Sequence, residues 1–225
     1  MPELKLDLGC GSRKREGFLG VDRRKFGEVD AVTELSGKRW EFAEDAFPGV
    51  TLKRLDSGAC VLPDSSVTEV YCSHFLEHLD HNQRAPERVR FMNELYRVLV
   101  PDGRATIITP FWASNRAYGD FTHADKPVSE MFYAYLSKEW RMNNAPDNDI
   151  QWHPDGYSCD FLASLSFAMH PKIVEEMKTR SAANAGFLDR LLGRKKPDVE
   201  AYKFHALTFY KEAAQDMVAN LIAQK

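Results

Sequence analysis

The sequence predicts an open α/β sheet in which mostly parallel strands are covered by helices. Short apolar runs that end in turn residues recur through the first half of the chain, and one clear amphipathic helix separates two of them. Strand, helix and strand in this order form a parallel βαβ unit. Because 225 residues suit one domain with an elaboration, we expect a single domain over residues 1–225.

Composition disfavours several kinds of partner. The formal net charge is −3, so no strong basic field attracts nucleic acid or an anionic membrane. The four cysteines form no C-x-x-C pair, which fits a reducing cytoplasm. The chain has no long apolar run and no charged-then-apolar start. We expect a soluble cytoplasmic protein without a membrane partner, and the sequence leaves its oligomeric state open.

The first strands enclose a glycine turn. A run from Leu4 to Leu8 leads into Gly9-Cys10-Gly11, and a second run ends in Asp22. Glycines let main-chain N–H groups approach a ligand, and an acid at the tip of the next strand accepts ribose hydroxyls. Strand, glycine turn, strand and acid therefore predict a nucleotide site.

The connection between these two strands is short. Nine residues separate Leu8 from Phe18, whereas a parallel crossover normally takes a dozen or more. We therefore expect a shortened first crossover, with a loop in place of a full helix. Its basic trio, Arg13, Lys14 and Arg15, lies either near the ligand or in solvent.

The third strand has two candidates. Val29–Leu35 is favoured and places Glu34 and Leu35 at the strand tip. Residues 38–63 are irregular and suggest an insertion, within which Leu52–Asp56 is the second candidate. In that case Asp56 takes the place of Glu34.

The central βαβ unit is the most regular part of the chain. Val67–Ser73 is rich in β-branched and aromatic residues and predicts a strand. Pro86–Val100 has apolar residues at three- and four-residue spacing and predicts a helix. The turn Pro101-Asp102-Gly103 ends this helix, and Arg104–Thr109 predicts the next strand.

The second half begins with an aromatic-rich segment. Residues 111–157 hold ten of the 26 aromatic residues, which predicts a loop-rich cap insertion with packed rings. Phe161–Met169 alternates in polarity and predicts a strand. Residues 183–198 predict an exposed excursion. Val199–Met217 carries a helical stripe, and a strand at Phe204–Tyr210 is the alternative.

Three segments resemble the class I S-adenosylmethionine-dependent methyltransferases. Asp7-Leu8-Gly9-Cys10-Gly11 is similar to motif I of that family, Ser73–Leu79 (SHFLEHL) to the segment after its fourth strand, and Asn93–Pro110 to its helix, turn and fifth strand. A dinucleotide site would have a third glycine where Lys14 stands. The resemblance implies a Rossmann-like sheet, S-adenosylmethionine as cofactor and S-adenosylhomocysteine as product.

The resemblance also assigns residues to the cofactor. Asp22 corresponds to the ribose acid, Glu34 and Leu35 to the adenine position with Asp56 as the alternative, and the basic trio lies near the methionine carboxylate. The cofactor residues expected in this way are Asp7, Gly9, Cys10, Gly11, Asp22, Arg23, Glu34, Leu35, Ser73 and His74.

Two of the three catalytic candidates lie in the cap. Residues 112–123, 140–146 and 156–161 resemble uncharacterised phage and bacterial methyltransferase-like proteins, which name no substrate. Here Asp120 and His123 stand three apart, and an imidazole beside an acid suits a general base. We expect His74, Asp120 and His123 to deprotonate the acceptor. An Asx turn beside an exposed histidine is the alternative.

The segment His74–His78 also matches the zinc pattern H-x-x-E-H. It directly follows a strand and holds only a few residues before Asp80, which does not suit a zinc helix. We therefore expect no metal, with Glu77 and His78 capping the following turn.

Two motifs that the sequence lacks limit the classes of molecule expected to accept the methyl group. DNA amino-methyltransferases carry (D/N)-P-P-(Y/F) where this chain has Ser73-His74-Phe75-Leu76, and cytosine C5 enzymes need Pro-Cys, which does not occur. Nucleic acid is therefore disfavoured, and we expect transfer to an oxygen or nitrogen of a small molecule or saccharide. The alternative is a cofactor-binding protein without transferase activity, serving as a sensor or partner subunit.

Overall fold

The computed structural model describes residues 3–47, 49–81, 86–147, 155–183 and 199–225. The strands in these ranges are β1 (Lys5–Leu8), β2 (Leu19–Asp22), β3 (Ala31–Val32), β4 (Glu41–Phe42), β5 (Lys53–Arg54), β6 (Cys60–Val61), β7 (Val67–Ser73), β8 (Leu99–Pro110), β9 (Phe161–Met169) and β10 (Ala214–Ala223). The α-helices are α1 (Glu87–Val98), α2 (Glu130–Ala134), α3 (Lys138–Asn144), α4 (Pro171–Ala183) and α5 (Val199–Phe209).

Seven strands form the central sheet in the order β3-β2-β1-β7-β8-β10-β9. The pairings from β3 to β8 are parallel, and β10 runs antiparallel to both β8 and β9. The predicted open α/β sheet is therefore confirmed. The carboxyl ends of the parallel strands meet at one edge, which is where ligands bind in such sheets.

Residues 9–18 join β1 to β2 through turns alone. The two strands are nevertheless parallel, with Leu6 opposite Leu19 and Leu8 opposite Val21. The shortened first crossover is thus present, and the described residues between the two strands form no helix.

The insertion after β3 forms a second sheet of three short strands in the order β4-β6-β5. Ala31–Val32 pairs with β2 in the central sheet, so the favoured third strand is correct, although it is shorter than Val29–Leu35. Lys53–Arg54 pairs only within the small sheet. The buried carboxylate of Glu94 fixes the insertion to α1 by accepting the N–H of Trp40 at 3.2 Å.

The core lies between the central sheet and α1. Each fully buried aliphatic side chain stabilises the fold by roughly 1.5–3 kcal/mol. Four residues of α1 at helical spacing and four residues of β1 and β7 meet there, namely Val89, Met92, Leu95, Val98, Leu6, Leu8, Val70 and Cys72.

The carboxyl-terminal part differs from the prediction. The helix predicted over Val199–Met217 ends at Phe209, and β10 begins at Ala214, so the alternative strand at Phe204–Tyr210 is also wrong. In β10 the buried residues Met217, Ala219, Leu221 and Ala223 alternate with period two. Helix α4 was not predicted. Of the predicted excursion at 183–198, residues 184–198 lie outside the described ranges.

The predicted cap contains two short helices, α2 and α3, in addition to loops. Its rings pack as expected, for example Phe132 against Tyr133 and Tyr135 against Trp140. Among the described residues, no helix combines the length and apolar character needed to cross a membrane.

Candidate active site

The glycine turn after β1 is held by main-chain hydrogen bonds. Gly9 and Gly11 have φ angles of +68° and +61°, a region that favours glycine. The N–H of Gly9 donates to Val21 O at 2.8 Å, and a Cβ at Gly9 would lie 2.5 Å from ring atoms of Phe75. Gly9 therefore shapes the turn and makes room for Phe75, whereas the sequence suggested close approach to a ligand.

Asp22 closes this turn from the end of β2. Its Oδ2 accepts the N–H of Gly11 at 3.0 Å, and its Oδ1 accepts the N–H of Arg24 at 3.2 Å. The neighbouring Arg23 is exposed. The acid thus lies against the glycine turn, as the sequence predicts.

Asp7 holds the following loop in place. Its side chain is buried, and Oδ2 accepts the N–H of Arg15 at 2.6 Å. Burial raises the pKa of Asp7, and the Arg15 hydrogen bond partly offsets this effect. The guanidinium of Arg15 in turn lies 4.5 Å from the ring centroid of Tyr71 on β7. This contact joins the loop to the neighbouring strand.

These elements enclose a cleft of about 390 Å³, which we call the turn cleft. Its lining residues are Asp7, Gly9, Cys10, Arg13, Lys14, Arg15, Tyr71 and Ser73. The basic trio therefore faces a cavity. Burial and the nearby Asp7 and Asp22 carboxylates raise the pKa of Cys10 to about 12, so this thiol stays protonated at neutral pH.

The residues predicted for adenine lie elsewhere. The side chain of Leu35 is buried in the core. Glu34 accepts hydrogen bonds from the N–H and Oγ of Ser36 at 3.1 and 2.9 Å. Asp56, the alternative, is exposed on the insertion. The structure does not bring these three residues into the lining of the turn cleft.

A second cleft of about 530 Å³ involves the end of the same strand, and we call it the histidine cleft. It is lined by His74, Glu77, His78, Pro110, Arg116, Gly119, Asp120, Phe121 and His123. Ser73 lines the turn cleft and His74 lines the histidine cleft, so two consecutive residues at the end of β7 contribute to the two cavities, and we call this pair of residues the junction.

His74 turns sharply at this junction, with a φ angle of +53°. Its N–H donates to Ile108 O at 2.9 Å. Its Nδ1 lies 3.3 Å from Oε1 of Glu77, and its Nε2 lies 3.9 Å from Oδ1 of Asp216. The hydrogen bond with Glu77 is the main reason that the pKa of His74 is raised, and Asp216 adds to the effect.

The cap supplies the opposite wall of the histidine cleft. The rings of His78 and His123 pack edge to face with centroids 4.8 Å apart. Asp120 accepts the N–H of Thr122 at 2.8 Å, as in an Asx turn, and its Oδ2 lies 4.0 Å from Nε2 of His123. The hydrogen bonds from Thr122 lower the pKa of Asp120. The Asx turn is therefore present, but the side chain of His123 is only 10% exposed, so the expectation of an exposed histidine beside it is wrong. The role of His123 and Asp120 as a general base stays a prediction.

Comparison with known proteins identifies the first half of the chain. Residues 6–107, which contain the glycine turn, Asp22 and the central βαβ unit, match the family model of the methyltransferase domain. This stretch is just under half of the chain. The resemblance and the fold class expected from the sequence are therefore confirmed, and the histidine cleft combines residues of this matched stretch with residues of the segment that follows it.

Solved structures agree at the level of the fold. An S-adenosylmethionine-dependent methyltransferase from Archaeoglobus fulgidus has a TM-score of 0.51 and 20% identity, covering 99% of this chain and 86% of that chain. Two further structures are less similar. Geranyl diphosphate C-methyltransferase from Streptomyces coelicolor has a TM-score of 0.42 and 13% identity, covering 99% of this chain and 70% of that chain. Phosphoethanolamine N-methyltransferase 2 from Haemonchus contortus has a TM-score of 0.38 and 13% identity, covering 99% of this chain and 49% of that chain. No curated protein sequence gave a significant match.

Sequence reasoning missed two residues beside the histidine cleft. Arg88 is fully buried and donates to the carbonyls of Leu76 and Glu77 at 3.1 and 3.4 Å, which fixes the 3₁₀ turn after His74. Asp216 comes from β10, where it stands opposite Pro110. A period-two pattern was the available signal for β10, but the helical stripe that continues to Met217 concealed it.

Proposed function

We propose that this chain transfers a methyl group from S-adenosylmethionine to an oxygen or nitrogen of a small molecule or saccharide. The observation that carries the proposal is the junction of the two clefts at Ser73 and His74. Methyl transfer from a sulfonium is an in-line displacement, so donor and acceptor must meet within about 3 Å. Clefts that share the end of β7, at the ligand-binding edge of the sheet, supply that proximity.

The turn cleft takes the cofactor in this proposal. Asp22 accepts the ribose hydroxyls with lone pairs that its two main-chain hydrogen bonds leave available. Arg13 and Arg15 of the basic trio face the cleft and pair with the methionine carboxylate, whereas Lys14 already pairs with Asp30 at 2.6 Å. Asp22 and Gly11 are joined by a hydrogen bond beside the cleft but are not part of its lining. The assignments of Gly11, Asp22, Arg23, Glu34 and Leu35 to the cofactor therefore remain predictions.

The histidine cleft takes the acceptor. Its volume of about 530 Å³ suits a small molecule. The ring of Phe121 is 98% exposed at its wall and offers a face on which a sugar or an aromatic ring stacks. His74 stands between the two clefts and is the group best placed to accept the acceptor's proton. His123 and Asp120 lie further into the cap.

Calorimetry with S-adenosylhomocysteine tests the cofactor half of the proposal. Asp22→Asn keeps an acceptor for the N–H of Gly11 but removes the charge. A hydrogen bond to a charged group contributes roughly 1.5–3 kcal/mol, so we expect affinity to fall about 10- to 150-fold. The exposed Asp45, changed to Asn, is the matched control and should leave the affinity unchanged. Equal affinity in all three proteins contradicts the ribose assignment.

Transfer itself is tested with S-adenosylmethionine labelled in the methyl group. The protein is incubated with a small-molecule cell extract, and labelled products are separated by chromatography. We expect a labelled product that is absent when the protein is omitted. If the protein binds S-adenosylhomocysteine and transfers nothing to extracts of varied origin, the sensor or partner-subunit alternative replaces the enzyme.

A further inference from the structure

We propose that Glu77, His78 and His123 bind a divalent transition-metal ion in the histidine cleft. Each residue offers one ligand atom, and these three atoms lie within 4.8 Å of one another. All three residues line the cleft, so an ion held by them keeps open positions toward the cavity. The ligand set departs from the H-x-x-E-H pattern, because His123 comes from the cap and His74 is not a ligand.

Hydrogen bonds select the tautomer that metal ligation needs. The Nδ1 atoms of His78 and His123 lie 3.2 Å from the carbonyl oxygens of Thr122 and Ala117, respectively. A carbonyl oxygen only accepts, so each Nδ1 carries the hydrogen and each Nε2 keeps its lone pair. Main-chain carbonyls orient metal-binding histidines in this same way. Both imidazoles therefore present Nε2 as a donor atom to an ion.

The buried carboxylate of Glu77 is a second indication of a bound cation, separate from the spacing of the three ligand atoms. The residue is 4% exposed, and its Oε1 is engaged by His74 at 3.3 Å. Its Oε2 is buried and has no hydrogen-bond partner among the described residues. A buried carboxylate oxygen without a partner costs free energy, which a bound cation removes. Glu77 thus has an unpartnered oxygen while its carboxylate lies within 4.8 Å of the ligand nitrogens of the two imidazoles.

The three ligands are held on a fixed frame. Arg88 bonds to the carbonyls of Leu76 and Glu77, and the N–H of Ala124 donates to the carbonyl of Glu77 at 2.9 Å. The last bond joins the cap directly to the turn that carries Glu77 and His78. Ligands placed by main-chain contacts of this kind lose little freedom when an ion binds.

Two imidazoles and one carboxylate favour zinc and neighbouring first-row divalent ions over Mg²⁺ and Ca²⁺, which prefer oxygen ligands. Tetrahedral zinc with ligand distances near 2.1 Å separates its ligand atoms by about 3.4 Å. The ligand atoms now lie within 4.8 Å of one another, so side-chain rotation that draws them together by up to about 1.4 Å completes the site. The fourth position then faces the acceptor.

The role of the ion rests on the proposed function. A Lewis acid lowers the pKa of a bound hydroxyl, and the proton passes to Nε2 of His74. The acceptor oxygen then donates an electron pair to the methyl carbon, while the carbon–sulfur bond breaks and its electrons remain on sulfur. The products are a methyl ether and S-adenosylhomocysteine. His123 acts as a ligand in this scheme, which leaves His74 as the base.

Metal binding is tested on the full chain without any acceptor. Apo protein is titrated with Co²⁺ and followed by visible absorption, and Zn²⁺ is then added in competition. We expect one equivalent of each ion to bind. His78→Ala removes an exposed ligand with little risk to folding, and Glu77→Gln retains the shape of the buried side chain. Each should weaken binding on the order of 100-fold or more.

The control variant is His205→Ala, which removes an exposed histidine on α5. It should bind Co²⁺ like the parent protein. No binding by the parent, or equal loss in the control, overturns the metal site. S-Adenosylhomocysteine binding is measured on the same samples: cofactor binding without metal binding refutes the metal site alone, and metal binding without cofactor binding refutes the proposed function alone.

Discussion

The turn cleft and the histidine cleft share the end of β7 but are built differently. The turn cleft comes mainly from one continuous stretch, and its lining carboxylate, Asp7, already accepts the main-chain N–H of Arg15. Asp22 and Asp30, beside the cleft, likewise accept the main-chain N–H groups of Gly11 and Gly20. The histidine cleft combines the ends of β7 and β8 with the cap, and Oε2 of Glu77 is left without a partner there.

Because of this difference, polar groups in the turn cleft should contribute to the stability of the fold, and polar groups in the histidine cleft should contribute to binding and catalysis. Carboxylates that hold turns contribute to the folded state whether or not a ligand is bound, because their hydrogen bonds are already made. A polar group left unpartnered inside a cleft contributes only when a ligand or ion arrives, and such groups cluster at functional sites. Substitutions in the turn cleft should therefore change stability and affinity together, and substitutions in the histidine cleft should change activity alone.

The largest effect is expected at the junction. His74→Asn removes the base while keeping a residue that tolerates the φ angle of +53°. Loss of a general base lowers turnover about 10²- to 10⁴-fold. Single-turnover methyl transfer to the labelled product, measured beside S-adenosylhomocysteine affinity, should show this loss with affinity preserved. His205→Asn is the control; parent-like transfer by His74→Asn removes His74 from the chemistry.

The reactivity of the Cys10 thiol tests whether the turn cleft is as buried and as negatively charged as described. The Cys10 pKa of about 12, against 9.0 for an ordinary thiol, lowers the thiolate fraction about 1,000-fold at pH 8. Cys60, Cys72 and Cys159 are buried, so Cys10 is the accessible thiol of the native protein. A thiolate of higher pKa is also the stronger nucleophile, so we expect native Cys10 to react with a disulfide reagent about 30- to 60-fold more slowly than in urea. Mass spectrometry of the labelled protein measures this, and labelling of native Cys10 at the unfolded rate contradicts the argument.

Substitutions of Gly9 and Gly11 test how much the glycine turn contributes to the free energy of unfolding. Gly11→Ala strains a backbone at φ +61° without a steric clash and should cost about 1–2 kcal/mol. Gly9→Ala adds a clash with Phe75, so the total should reach about 2–5 kcal/mol. Urea unfolding followed by circular dichroism gives both values. Equal costs in the two variants exclude the contact with Phe75 as the reason for Gly9.

The turn cleft was largely predictable because its parts are close in sequence. A strand, two glycines and an acid within Leu4 to Asp22 determine their own geometry, and the short crossover follows from the number of intervening residues. The tip of β3 was placed less well, since Leu35 packs into the core beside Trp40, whose Nε1 donates to its carbonyl. Residue type alone does not show which side chains after a short strand point into the core and which point toward a ligand.

The histidine cleft was only partly predictable because its geometry is set by tertiary contacts. His74, Asp120 and His123 were identified from sequence and do line one cavity. Glu77 and His78 were interpreted as turn caps, since nothing local shows that Ala117 and Thr122 orient the two imidazoles. Asp216 was missed because β10 pairs with strands more than 40 residues away along the chain, a relation that a helical stripe does not reveal.

The central claim is that cofactor and acceptor meet at the junction. A crystal structure with S-adenosylhomocysteine tests it most directly. We expect the ribose hydroxyls to form hydrogen bonds with Asp22. We also expect the sulfur atom to lie beside Ser73, with an open path from it into the histidine cleft. A nucleoside bound outside the turn cleft, or a sulfur separated from His74 by protein, would contradict it.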